Sequence, residues 1–204
     1  MYFNYSKNKP IIQVEGGIKM IVAICGKSGS GKSTLARQIM ELSSKEVVHL
    51  NIDEIGHQVL EIPEVQKEII NTFGESILKD KKVSRKKLGE MVFTSRNEMK
   101  KLSDITWEYM QAIIDHLLHK HKDKIILLDW ILLPITKYFD KCNIKILLDI
   151  PYETRKQRAI KRDGIKEDSF NLREQASIDY NEDSFDIVLK SKNKEIVKRL
   201  VKLL

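Results

Sequence analysis

Six apolar residues in a row, Met20-Ile21-Val22-Ala23-Ile24-Cys25, end at a glycine. A short unbroken apolar run closed by a turn residue predicts a strand covered on both faces. The period then changes: Leu35, Ile39 and Met40 recur at helical spacing, which predicts a helix over 32–43. Three further short apolar runs, 47–50, 125–129 and 144–149, read as strands, and a weaker one spans 185–189. Strands that alternate with helices predict an α/β domain, a five-stranded parallel sheet inside a three-layer α/β/α sandwich.

The intervals between strands differ in kind. The stretch 52–123 is too long for a simple crossover and reads as several helices, punctuated by Pro63 and Gly74. Within it, 95–119 keeps helical periodicity throughout, through Met99, Leu102, Ile105, Met110, Ile113, Ile114 and Leu117. We expect a helical insertion over about 53–123 that binds an acceptor substrate, set into a core of 20–52 and 124–204. After Pro151 a charged helix ends at Asp163-Gly164, a helix-stop signal. A second polar helix is expected over 166–181, which makes 152–181 a helical lid. An amphipathic helix over 194–204 closes the chain. Residues 1–19 carry neither period and read as a flexible extension ahead of one domain, 20–204.

Composition narrows the class. The chain has 204 residues, 42% hydrophobic and 32% charged, as in soluble globular proteins. Lys and Arg outnumber Asp and Glu by 36 to 29, but the excess is scattered rather than striped. That favours small polyanionic ligands over nucleic acid. No run approaches the ~18 apolar residues of a membrane span, and the first 19 residues lack the plan of a signal peptide. Two cysteines without a partner motif, Cys25 and Cys142, suit free thiols in the cytoplasm. Nothing in the pattern chooses between a monomer and a small homo-oligomer.

The chemistry concentrates after the first strand. Gly26-Lys27-Ser28-Gly29-Ser30-Gly31-Lys32-Ser33 matches G-x-x-x-x-G-K-[ST], with a strand before it and a helix after it. This is a phosphate-binding P-loop: glycines let the backbone approach phosphate oxygens, and successive N–H groups point inward. The helix beginning near Lys32-Ser33-Thr34 adds its positive end. Lys32 should reach the β- and γ-phosphates of ATP, and the Ser33 hydroxyl should coordinate Mg²⁺. Asp53 follows the second strand, where ligands of open α/β sheets bind; it can take a proton from an attacking hydroxyl or cap the next helix. Asp129 ends the third strand like a Walker-B carboxylate that acts on Mg²⁺, or else faces solvent there. Arg155, Arg158 and Arg162 share one helical face and could clamp a transferring phosphoryl group or simply be solvated. His116, His119 and His121 read as a solvated helix end, and Trp107, Trp130 and Cys25 as core residues.

From about residue 21 to 191 these residues resemble the dephospho-coenzyme A kinases. The P-loop is close to that family's, and Asn51-Ile52-Asp53 keeps the second acid of its Asp-Ala-Asp element. Ile55-Gly56-His57-Gln58-Val59-Leu60 is similar to its continuation. Ser84-Arg85-Lys86-Lys87-Leu88-Gly89-Glu90-Met91-Val92-Phe93 is similar to its Asp-Arg-x-x-Leu-Gly-x-x-Val-Phe segment. Asp129-Trp130-Ile131-Leu132-Leu133 resembles its Walker-B stretch, and Arg155, Arg158, Arg162-Asp163-Gly164 and Gln175 follow its lid. Asp186-Ile187-Val188 resembles its late strand. The resemblance implies ATP and Mg²⁺, dephospho-coenzyme A as acceptor, Asp53 as base, Arg158 and Arg162 as charge clamps, and Arg85 and Phe93 on the acceptor side. The acceptor half departs from the family: its His-Pro pair is missing from 103–107. Ile135 replaces a Glu, Arg155 a Gln, Asn181 an Arg and Ser191 an Asn. A nucleoside or nucleoside monophosphate kinase, and a nucleotide-binding protein without transfer activity, therefore stand as alternatives.

Overall fold

A computed structural model describes residues 20–191 and 193–204. In chain order the elements are β1 (Met20–Cys25), α1 (Lys32–Leu42), β2 (Val47–Asn51), α2 (Ile52–Val59), α3 (Pro63–Phe73), β3 (Leu78–Lys79) and β4 (Lys82–Val83). Then come α4 (Arg85–Val92), α5 (Arg96–Lys120), β5 (Ile125–Asp129), β6 (Ile144–Leu148), α6 (Tyr152–Asp163), α7 (Glu167–Gln175), β7 (Ile187–Leu189) and α8 (Lys194–Leu203). Five strands form one sheet in the order β2-β5-β1-β6-β7, and each neighbouring pair is parallel. This is the expected three-layer α/β/α sandwich.

The unbroken apolar runs follow from burial on both faces. Ile21, Ala23, Cys25, Ile126 and Leu128 pack with α2, α3 and α5. The intervening Val22, Ile24, Ile125 and Leu127 pack instead on Leu35, Ala36 and Ile39 of α1 and on Val197 and Leu200 of α8. Each Val, Leu or Ile among them, taken fully out of water, contributes about 1.5–3 kcal/mol. Register does the positioning. Ile24 of β1 and Asn51 of β2 both lie opposite Asp129 of β5. The carboxyl ends of the three strands therefore finish level, beneath the glycine loop that follows β1.

Five details differ from the expectations. β2 runs on to Asn51, β6 stops at Leu148 and β7 begins only at Ile187. The interval between β2 and β5 is not all helix. It holds the hairpin β3–β4, whose turn residues Asp80 and Lys81 have φ of 52° and 62°. After Gly74 the chain makes one 3-10 turn, Glu75–Ile77, and the two left-handed residues then turn it tightly back on itself before the Ser84 cap of α4. α7 ends at Gln175 rather than 181, because the Ser177 hydroxyl and N–H take over the Glu174 carbonyl, at 2.7 and 3.1 Å. The extension expected over 1–19 lies outside the described residues.

Candidate active site

The loop between β1 and α1 is built for close approach. Gly26, Gly29 and Gly31 have φ of +146°, +77° and +95°. A Cβ on Gly29 would stand 2.2 Å from the Arg155 carbonyl oxygen, and one on Gly26 2.8 Å from that of Leu148. Neither position can carry a side chain without moving backbone. Ser30 N–H donates to the Lys27 carbonyl at 3.1 Å, which closes the turn. Ser30 is itself buried, and its hydroxyl oxygen has no protein partner. Gly31 starts α1 with no side-chain cap and no acid in the first turn, so the N-terminal amides of an 11-residue helix face the loop. Such an end attracts an anion.

Beneath the loop is a cluster of charge. Asp129 is only 1% exposed. Its Oδ2 accepts from the Ser33 hydroxyl at 2.6 Å and meets His49 Nε2 at 3.1 Å, while Oδ1 lies 3.9 Å from Lys32 Nζ. It is not a solvent-facing strand end. Asp53 stands in the first turn of α2, but the cap is Asn51, whose Oδ1 accepts from Glu54 N–H. Asp53 is therefore not spent on capping. Its residue surface is open to water, yet protein atoms crowd the carboxylate, and the crowding pushes its pKa up from the ordinary value. Lys32 opposes that rise, Asp129 adds to it, and His57 and a hydrogen bond from Trp130 counter it in turn. Water in the open cleft tempers the rise. Trp130 is buried and stacks on Trp107 of α5, ring centroids 5.7 Å apart at 19°.

The three arginines of α6 do not act as one row. Arg155 is buried: Nε donates to the Ile150 carbonyl at 2.9 Å, and both terminal nitrogens grip Glu174 of α7 at 2.7 and 2.8 Å. Nη1 also reaches the Ser28 carbonyl of the loop, at 3.3 Å. Glu174 meets Lys27 as well, at 3.3 Å. Burial works to raise the Glu174 pKa, but the Arg155 bonds and the Lys27 charge outweigh it and hold the carboxyl below its usual range. Tyr180 completes the bracket, accepting from Gly26 N–H at 3.3 Å and donating to the Ile131 carbonyl at 2.9 Å. Arg158 and Arg162 stay exposed on α6. Arg162 is paired with Asp163, which is also held by Arg173 of α7. Asp163 chiefly, with Asp53 adding to it, raises the Arg162 pKa further against some desolvation.

Lys32, Ser33, Asp53 and Asp129 are thus drawn together with the loop. Thr34 follows on α1, exposed, and Lys27 turns away to Glu174 and to Asp179. Arg85 and Phe93 stand apart from this cluster in the chain, at the first residue and the C-cap of α4, both exposed. A cavity of about 210 Å³ beside the loop is lined by Lys27, Leu148, Asp149, Arg155, Tyr180 and Glu182 among others. A larger one, about 670 Å³, shares Asp179 and Tyr180 with it and reaches Ile135 and Asn181, but none of the loop residues lines it.

A family model described as dephospho-CoA kinase matches residues 20–195. The chain belongs to the dephospho-CoA kinase family. Among curated relatives, a dephospho-CoA kinase of Fusobacterium nucleatum is 37% identical over 148 residues, covering 72% of this chain and 75% of the relative. One of Aquifex aeolicus is 31% identical, covering 74% and 77%. The crystal structure of TT1252 from Thermus thermophilus superposes with a TM-score of 0.74 at 24% identity, covering 90% of this chain and 95% of that one, and attests to the fold. Family membership makes this chain an α/β kinase of the P-loop kind. Sequence reasoning passed over three residues of the site and read a fourth, Trp130, as core alone. His49 carried a faint signal, a polar residue inside an apolar strand. Glu174 and Tyr180 carried none, because their partners are distant in the chain.

The Arg155–Glu174 bracket should contribute to stability. Removing one partner of a largely buried ion pair costs about 3–5 kcal/mol. Arg155→Ala is expected to lower the melting temperature by roughly 6–20 °C in calorimetry; an unmoved transition would refute a structural role for it.

Proposed function

We propose that the chain transfers the γ-phosphoryl group of ATP to the 3′-hydroxyl of dephospho-coenzyme A, giving coenzyme A and ADP. The observation that carries the reading is the convergence of Lys32, Ser33, Asp53 and Asp129 under a loop whose amides and helix end suit a polyphosphate. Membership of the dephospho-CoA kinase family supports the acceptor.

In this reading the loop amides and Lys32 hold the β- and γ-phosphates. Ser33 Oγ and the Asp129 carboxylate are hard oxygen donors 2.6 Å apart, and they would hold a Mg²⁺ ion. When bound, that ion would neutralise charge on the triphosphate. Asp53 accepts the proton as the 3′-oxygen forms its bond to phosphorus and the bond to ADP breaks. A carboxyl with a raised pKa is the better base for a hydroxyl. Arg162, near enough to Asp53 to sense its charge, and Arg158 one turn earlier compensate the charge that spreads over the transferring group. Arg85 and Phe93 on α4 are assigned to the acceptor side.

One observation keeps a second acceptor in view. Ile135 and Asn181, two of the positions that depart from the family pattern, line the same 670 Å³ cavity. A nucleoside or nucleoside monophosphate is the alternative acceptor.

A coupled ADP assay over a panel of acceptors decides, with dephospho-coenzyme A expected to give the highest kcat/KM; preference for a nucleoside would overturn the assignment. Lys32→Ala should lower kcat roughly a hundredfold or more. Asp53→Asn should do the same, and unchanged turnover would remove Asp53 as base. kcat/KM should fall on the acid side as Asp53 takes up its proton, with a midpoint above the ordinary carboxylate range. A kcat/KM–pH profile flat through that range would count against this role.

A further inference from the structure

Among the groups around the loop, His49 has no part in the mechanism above, although it touches the most buried carboxylate of the site. We propose that His49 is a positioning residue for Asp129: it holds Oδ2 so that the carboxylate keeps one orientation when the nucleotide takes away its other partners. The inference rests on the assignment of Asp129 and Ser33 to the cation that accompanies ATP.

The argument begins with what a buried carboxylate needs. Asp129 is almost wholly out of water, so its oxygens must find donors within the protein. Three are in reach: Ser33 Oγ at 2.6 Å and His49 Nε2 at 3.1 Å, both on Oδ2, and Lys32 Nζ at 3.9 Å from Oδ1. Two of these belong to the loop–helix junction and are claimed by the ligand in the reading above: the ammonium of Lys32 by phosphate, the oxygen of Ser33 by the cation. His49 comes from β2, within the sheet. It lies opposite Leu127, two residues before Asp129 on the neighbouring strand, so its imidazole reaches Asp129 on the diagonal. Its partner does not change when the nucleotide arrives.

The bond also selects an edge. With Oδ2 held from β2 and from α1, the carboxylate cannot rotate freely, and Oδ1 stays on the side of Lys32. To donate, the ring must carry its proton on Nε2, the form that this hydrogen-bond network assigns. Carboxylates that hold metals are themselves hydrogen-bonded, and loss of such an outer partner typically costs 10–100-fold in metal affinity. Elsewhere in β2, Val47, Val48 and Leu50 are apolar, and the Asn51 side-chain oxygen is engaged in capping α2.

The test compares His49→Leu, which removes the donor, with His49→Gln, whose amide can restore one. Mn²⁺, followed by its spin resonance, serves as the probe ion in the ATP complex, and ATP binding is measured separately in EDTA. We expect His49→Leu to weaken Mn²⁺ roughly tenfold or more. It should raise the Mg²⁺ concentration for half-maximal turnover in parallel and leave divalent-free ATP binding unchanged, with His49→Gln recovering most of the loss. Wild-type Mn²⁺ affinity in His49→Leu would overturn the proposal. So would an equal loss of ATP binding in EDTA by both variants, which would mark His49 as merely structural. The Mn²⁺ measurement needs no acceptor. A wild-type protein that binds Mn²⁺-ATP and leaves dephospho-coenzyme A unphosphorylated would sink the proposed reaction and not the role of His49.

Discussion

A carboxylate with almost no access to water has to be surrounded by donors, and those of Asp129 are drawn from two different elements. The hydroxyl of Ser33 comes from the first turn of α1, and the imidazole of His49 from β2. The parallel register makes this meeting possible, since Ile24 and Asn51 both sit opposite Asp129. A slip of one residue in β5 would turn its side chain to the other face of the sheet and remove it from α1. The sheet is thus the device that brings residues about a hundred positions apart, Ser33 and Asp129, to 2.6 Å.

A second constraint acts from the opposite side of the loop. Gly29 lies against the backbone of Arg155 with no room for a Cβ, and Arg155 spans Ser28, Ile150 and Glu174. Tyr180 joins Gly26 to Ile131. The loop is therefore held from above by α6 and α7 and from below by the strand ends. A preorganised cradle loses less conformational entropy when an anion enters it. The same bracket takes one arginine of α6 out of play, since Arg155 is fully engaged while Arg158 and Arg162 stay exposed.

The core was legible because it follows short-range rules. Apolar runs bounded by Gly26, Pro151 and charged residues marked four of the five strands to within a residue, and Gly164 ended α6 with a φ of +63° as its Asp-Gly signal implied. The loop was legible because its spacing carries its own mechanism. The hairpin β3–β4 escaped because two-residue strands are too short to show a period. The early end of α7 escaped because a serine three residues along from Glu174, rather than a Gly or Pro, stops the helix. The arginine row shows the limit most clearly. Spacing put Arg155, Arg158 and Arg162 on one face, but only the fold could bring Glu174 to Arg155 and so divide the three by burial.

The stacked indoles lead to a practical consequence. Trp107 and Trp130 are the only two tryptophans in the chain, and they lie face to face with Trp130 near enough to influence the Asp53 carboxyl. Almost all emission excited at the red edge of the protein band must come from this pair. One ring rides on the long helix α5, and the other sits directly after Asp129, so displacement of α5 relative to the sheet would alter their overlap. The molecule thus contains a built-in optical gauge at its chemical centre, readable in the unlabelled protein.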